Sequence, residues 1–395
     1  MKKMRVMAMA GICVVVIIGA LWGCFGEKIK ILYTSLKSFK DENLAYTFQH
    51  TPKIQPTRKI SRGEHEFQFS KEENIELKDG FYFEDTFYPS EKFMEDTKTS
   101  ALLVVKDDVI QYEKYFFGGD ETTLFSSNSM GKSFVSALMG IAVSEGYIQS
   151  IEDPIGKYIP EFVGTELESI PIKACLQMAS GIHFDEEKDM SGFSMRTLMG
   201  KPSMKVIAKY GVQEEPYTYR RYLSINTEIL GQIIKNTTGC GLAEYMEKKL
   251  WKKIGAEHDA YWTLSNGTEL AMGGLSVSIR DYARFARLYL KDGQYDGEQI
   301  LTKDWVRDSM DVSTEYSKPG ANEGAYNTLG YGYQWWIPEG DQGEFMAIGV
   351  YGQFIYVNPS KQVIIVKTSA DPDFMAKGYE LKHVEFFRAV TDGIS

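Results

Sequence analysis

A hydroxyl and an amine stand three residues apart in the stretch Phe125-Ser126-Ser127-Asn128-Ser129-Met130-Gly131-Lys132-Ser133-Phe134. They belong to Ser129 and Lys132, the chain's only Ser-x-x-Lys. Beyond them, 134–142 is apolar nearly all round, which predicts a helix held inside the protein. Positions i and i+3 of a helix share a face, so hydroxyl and amine become neighbours. The helix start adds exposed N–H groups and a partial positive charge. A nucleophile, a base and a site for a developing oxyanion then meet in one place. A Lys leading straight into an apolar helix is also partly desolvated, which lowers its pKa towards that of a usable base. Ser is equally a common helix N-cap and Lys a common solvated residue, so the pair needs a structural context before it carries chemistry.

The elements that must hold this pair follow in chain order. Val6 to Gly26 is a run of 21 uncharged residues after Lys2, Lys3 and Arg5, about 31 Å as a helix and long enough to span a bilayer. The basic flank implies an N-inside anchor with the body outside the cytoplasm. A lipoprotein signal ending at Cys24 and a cleaved signal peptide are the alternatives. Residues 27–98 are too aromatic for a disordered linker and read as a connector packed on the body. The body itself is assigned to 99–395. Ala101–Val105 and Val109–Phe116 read as a hairpin turning at Asp107-Asp108. The helix after Ser129 ends near Gly146. A short helix is expected over Ile170–Met178. The charged run 185–189 reads as a solvated loop that could alternatively meet a cationic substrate group. Further helices are expected over Thr227–Asn236, capped by Asn226 and stopped at Gly239, over 242–253 and over Ile279–Leu290. Strands return over Glu344–Ile348, Gln353–Val357 and Val363–Thr368, and a helix over Met375–Val390 closes the chain. Strands at both ends with helices between them predict an α+β fold: an antiparallel sheet built from N- and C-terminal strands, flanked by helices and enclosing a mostly helical second lobe. The active site should then lie at the seam between the two.

Composition narrows the function. The chain has 395 residues with 44 basic and 54 acidic side chains, a formal net charge of −10, which argues against nucleic acid as a partner. The five histidines are scattered without ligand spacing, so no metal and no cofactor is expected. Outside the N-terminal apolar segment only Cys175 and Cys240 remain; they could pair, but two cysteines are no disulfide framework. No Gly-x-Ser-x-Gly elbow exists, which disfavours an α/β-hydrolase.

Three separated pieces, Ser129-Met130-Gly131-Lys132, Tyr222-Leu223-Ser224 and Gly349 on a C-terminal strand, occur in an order that resembles the serine β-lactamase and penicillin-binding-protein superfamily. The likeness is to its class C branch, and there to 6-aminohexanoate-dimer hydrolases and family VIII carboxylesterases. It extends over 45–390 through 242–262, Gly273-Gly274-Leu275-Ser276, Arg280-Asp281 and 349–353. The resemblance implies an acyl-enzyme on Ser129, with Lys132 and Tyr222 sharing the proton transfers. It further implies an oxyanion hole from the backbone N–H of Ser129 and Val350, with Ser224 and Gly349 at the substrate. The family's third motif is Lys-Thr-Gly; here it reads Ala347-Ile348-Gly349. The missing cation removes the usual partner of a substrate carboxylate and favours an ester or linear amide over a β-lactam. The expected partner is therefore a small ester or amide. A cell-envelope D-alanyl esterase or peptidase, a β-lactamase, and a sensor that acylates without turnover are the alternatives. Lys367-Thr368-Ser369 comes one strand too late to replace the missing motif and reads as a strand end.

Overall fold

The main sheet takes its two-sided character from an alternation of apolar side chains. Along β1 (Thr99–Lys106), Ala101, Leu103 and Val105 face one core while Leu102 and Val104 face another. β2 (Val109–Tyr115) returns beside it. Three C-terminal strands repeat the pattern: β3 (Phe345–Gly349), β4 (Gln353–Asn358) and β5 (Val363–Ser369). Ala347, Ile355, Val357, Ile364 and Val366 point to the first core, and Met346, Ile348, Phe354, Tyr356 and Ile365 to the second. Successive residues of a strand alternate faces, so a sheet that carries apolar side chains on both faces must be covered on both sides. α5 (Tyr379–Gly393) covers the second core with Val384, Phe386, Phe387 and Val390. α4 (Ile279–Leu290) covers the first with Tyr282, Phe285 and Tyr289; it starts where the Ser278 hydroxyl accepts the Asp281 N–H at 3.1 Å.

The structure is a computed structural model and describes Gly26 and residues 37–72, 75–320 and 329–394. The expected anchor over 6–26 lies, Gly26 apart, outside the described residues. Among the described residues no helix is long and apolar enough to cross a membrane. The sheet runs in the order Gly330–Tyr331, Trp336–Ile337, β3, β4, β5, β1, β2, Ser70–Lys71. The C-terminal strands thus insert next to β1, which makes the fold α+β with a β-lactamase/transpeptidase architecture. One detail departs from a purely antiparallel sheet: Ser70–Lys71 pairs parallel with β2.

The second lobe contains α1 (Gly131–Ser144), α2 (Glu186–Leu198) and α3 (Ser224–Thr238). α1 is buried from Gly131 to Ala142, with Phe134 stacked on Phe285 at 3.6 Å between centroids. A smaller sheet joins Thr57–Ile60, Ala260–Ser265, Leu275–Val277 and Phe125–Ser126, so the strand that leads into Ser129 is fixed by pairing.

Four expectations are corrected. Residues 185–189 are not a solvated loop but the start of α2: Asp185 caps Glu187 and Lys188 through its carboxylate, and acids in the first turn suit the helix dipole. α3 begins at Ser224, so Asn226 lies within its first turn and caps nothing. The helix from Leu242 is α-helical only to Met246 and continues as a π-turn to Trp251. The last helix begins at Tyr379, after Gly378 at φ +73. Cys175 and Cys240 are both free thiols.

Candidate active site

Backbone pairing fixes where Ser129 stands. Ser127 N–H donates to Leu275 O at 2.7 Å, and Leu275 N–H donates to the Ser127 hydroxyl at 3.1 Å. Asn128 then turns the chain at φ +44, a conformation that Asn tolerates better than most residues. Its amide donates to Val350 O at 3.0 Å, tying this turn to the one after β3. Residues 128–130 form a 3₁₀ turn and α1 follows from Gly131. Residues i and i+3 nearly eclipse in a 3₁₀ turn, and the Lys132 Nζ lies 2.8 Å from the Ser129 Oγ. The neighbouring chain passes so close that a Cβ on Gly273 would sit 2.8 Å from Asn128 O.

Lys132 is 2% exposed. Its Nζ donates also to Met272 O at 2.6 Å and stands 5.1 Å from the centre of the Tyr222 ring. Burial disfavours the ammonium and brings the pKa down to about 8, although Glu186 and Glu228 oppose the fall. Glu228 is buried on α3 and accepts the Met272 N–H at 3.0 Å. Burial pushes its carboxyl up to about 7. Met272 thus presents its carbonyl to the amine and its N–H to the carboxylate. The sequence reading missed both Glu228 and Met272. Glu228 falls one turn after Ser224 on the side of the helix that also carries Gln232 and Lys235, so its spacing alone reads as solvated and gave no signal of burial.

Ser129, Tyr222, Gly349 and Val350 line one cleft, together with Trp336, Ile348, Phe354, Phe374, Tyr379 and Glu380. Tyr222 is stacked on Trp336 at 5.4 Å and meets Tyr331 edge-on at 6.1 Å. Gly349 backs onto the Ser129 turn so closely that a Cβ there would lie 3.0 Å from Ser129 N and 2.5 Å from Ser127 O. Glycine is what permits the last residue of β3 to approach. Among the described residues the lining contains no cationic side chain. Ala347 is 1% exposed and packs into the core under the sheet, and Lys367 is fully enclosed on β5, donating to Thr97 Oγ1 at 3.0 Å and Ser369 Oγ at 2.6 Å.

Ser224 is not brought to the lining. Its hydroxyl and its N–H both reach the Glu186 carboxylate, the N–H at 2.8 Å, so α2 caps α3 from a distance. Among the described residues no group of His, Cys, Asp and Glu could hold a metal ion.

Comparison with known proteins bears on the fold and the family. A 6-aminohexanoate-dimer hydrolase of Paenarthrobacter ureafaciens is 27% identical over 299 residues, covering 72% of this chain and 75% of its own. The solved structure "Putative 6-aminohexanoate-dimer hydrolase from Bacillus anthracis" superposes with a TM-score of 0.80 at 24% identity, covering 90% of this chain and 96% of that one. EstCE1, described as a hydrolase with promiscuous acyltransferase activity, gives a TM-score of 0.61 at 14% identity over 76% of this chain and 96% of its own. Residues 91–384 match the family described as Beta-lactamase, and this chain belongs to that family.

Proposed function

We propose that this beta-lactamase-family serine hydrolase cleaves a short ester or linear amide through an acyl-enzyme on Ser129. The observation that carries the reading is the 2.8 Å contact between the Ser129 hydroxyl and an amine held in a buried site. With a pKa of about 8, about a tenth of Lys132 is free base at pH 7. In that form the contact runs from Ser129 O–H to the Lys132 nitrogen. Ser129 Oγ attacks the substrate carbonyl and its proton passes to Lys132. The carbonyl oxygen takes the negative charge, facing the backbone N–H groups of Ser129 and Val350. Collapse of this intermediate expels the alkoxide or amine, which receives the proton through Tyr222. Water then adds to the acyl-enzyme by the same steps in reverse, losing its proton to the same pair and restoring Ser129 O–H.

Ester or linear amide is favoured because, among the described residues, the lining offers no cation to hold the carboxylate of a β-lactam. A relative named for a 6-aminohexanoate dimer supports the linear amide. The test is labelling with a fluorophosphonate, followed by kinetics on p-nitrophenyl butyrate and on nitrocefin. Ser129→Ala should lose both label and turnover, and kcat/KM should be higher on the ester. An acyl adduct formed in full by Ser129→Ala would overturn the nucleophile; faster turnover of nitrocefin than of every ester tried would overturn the substrate class.

A further inference from the structure

An acid on α3 stands next to the base and has no part in the acyl-transfer steps. Glu228 is 8% exposed, between Thr227 and Ile229, which are both fully buried. A carboxyl taken out of water is costly unless hydrogen bonds and a counter-charge meet it. Here the hydrogen bonds come from one short loop. Residues 270–274 lie so close on α3 that a Cβ on Gly231 would sit 2.5 Å from the Cβ of Ala271. The Trp262 indole donates to Leu270 O at 2.9 Å and to Gly273 O at 3.0 Å, which pins the loop on either side of Met272. Between these points the Met272 N–H donates to the Glu228 carboxylate at 3.0 Å, and the Ala271 N–H also acts on it. The Met272 carbonyl accepts from Lys132 Nζ at 2.6 Å, and the same amine stands 2.8 Å from Ser129 Oγ. The base is therefore held by a carbonyl whose own residue is held by Glu228.

Charged and titratable groups meet this arrangement from several elements. On α1 it is Lys132, the counter-charge of Glu228. On α2 the Glu186 carboxylate also acts on Lys132, while it accepts the hydroxyl and the N–H of Ser224. Tyr222 presents its ring to the amine at 5.1 Å. Glu228 lines an enclosed space of about 70 Å³ together with Lys201 and Glu269, and Glu269 is paired with Arg58. That space is separate from the cleft lined by Ser129, so Glu228 acts on the chemistry only through Met272 and Lys132.

We propose that Glu228 is a positioning residue for acyl transfer, which acts through Met272 to hold the Lys132 amine at Ser129 and sets the charge that this amine faces. The proposal rests on the reading of Lys132 as the base that takes the Ser129 proton. The hydrogen bond to Met272 fixes where the amine stands. The negative charge favours the ammonium over the free amine, so part of the base is withheld below about pH 8.

The test compares Glu228→Gln and Glu228→Leu with the wild type in kcat/KM for p-nitrophenyl butyrate from pH 6 to 10, in the full-length protein. Wild-type kcat/KM should climb as Lys132 loses its proton, with a midpoint at about pH 8. Glu228→Gln keeps an acceptor for the Met272 N–H and removes the charge, so its midpoint should fall by about one unit. Glu228→Leu removes both. Its midpoint should fall likewise, and its kcat on the high-pH plateau should lie about tenfold or more below that of Glu228→Gln, because a displaced amine reacts poorly. A purely structural role would lower activity at every pH and leave the midpoint. A midpoint that stays in place in Glu228→Gln, or equal plateaus in the two folded variants, would overturn the proposal. Should Glu228→Leu fail to fold, the midpoint of Glu228→Gln decides alone. Failure of the Lys132 reading would show instead as a rising limb that persists in Lys132→Met. In that case carbon-13 NMR of lysine labelled at Cε decides, with the Lys132 signal identified by its loss in Lys132→Met. A titration about one unit lower in Glu228→Gln supports the proposal, and an unmoved one overturns it.

Discussion

Lys132→Met separates the cost of holding this lysine from its use. The side chains are of similar length, so the helix and the packing around α1 persist. What is lost is a buried charge and its two hydrogen bonds, to Ser129 Oγ and Met272 O. The fall from the ordinary 10.5 to about 8 corresponds to about 3 kcal/mol, at about 1.4 kcal/mol per tenfold. Two hydrogen bonds at about 1 kcal/mol each offset part of that, leaving a net gain in stability of about 1 kcal/mol for the variant at neutral pH. The sign follows from linkage. A lysine with a depressed folded pKa binds fewer protons when folded, so its burden is full below about pH 8 and is relieved as pH rises towards 10.5. Urea unfolding at steps from pH 7 to 10.5 should therefore show the wild type gaining on the variant by about 3 kcal/mol across that window, after an initial deficit of about 1 kcal/mol. Turnover of p-nitrophenyl butyrate should meanwhile fall by about 10² or more, as expected for a lost general base. A variant less stable than wild type by one margin at every pH would refute the claim that Lys132 is held at a cost.

Two further perturbations probe the same site. Lys132→Ala and Tyr222→Phe should each lower kcat by about 10² or more, and the double variant should be little worse than the worse single, because the two share one proton path; losses that multiply would assign one of them a separate role. Gly349→Ala should push β3 away from the Ser129 turn, since its Cβ would lie 2.5 Å from Ser127 O, and cost about 10² in kcat with a smaller effect on KM if the adjacent N–H groups hold the oxyanion; unchanged kcat with a well-folded variant would remove the oxyanion hole from this place.

What the sequence determined by itself is what short-range geometry sets. Ser129 and Lys132 become neighbours because three residues along a turn return to the same face, whatever the rest of the chain does. β1, β4 and β5 were legible as apolar runs between turn residues, and α4 was legible to the residue because Ser278 caps it locally. Tyr222 and Gly349 could be singled out only by resemblance, since nothing in their neighbourhoods marks them. The start of α3 shows where local reasoning fails: Asn226 looked like its cap, but the Glu186 carboxylate closes that end from another helix. The run 185–189 carried a helix-start signal, an Asp followed by acids, that its charge disguised as solvation. Glu228, Met272 and Glu380 lie far from Ser129 in sequence and approach it only because α3 packs on α1 and α5 follows the sheet to the same cleft. Their approach depends on which elements pack together. Burial gives Lys132 and Glu228 their altered proton affinities, and burial is a property of the assembled tertiary structure that residue spacing does not contain.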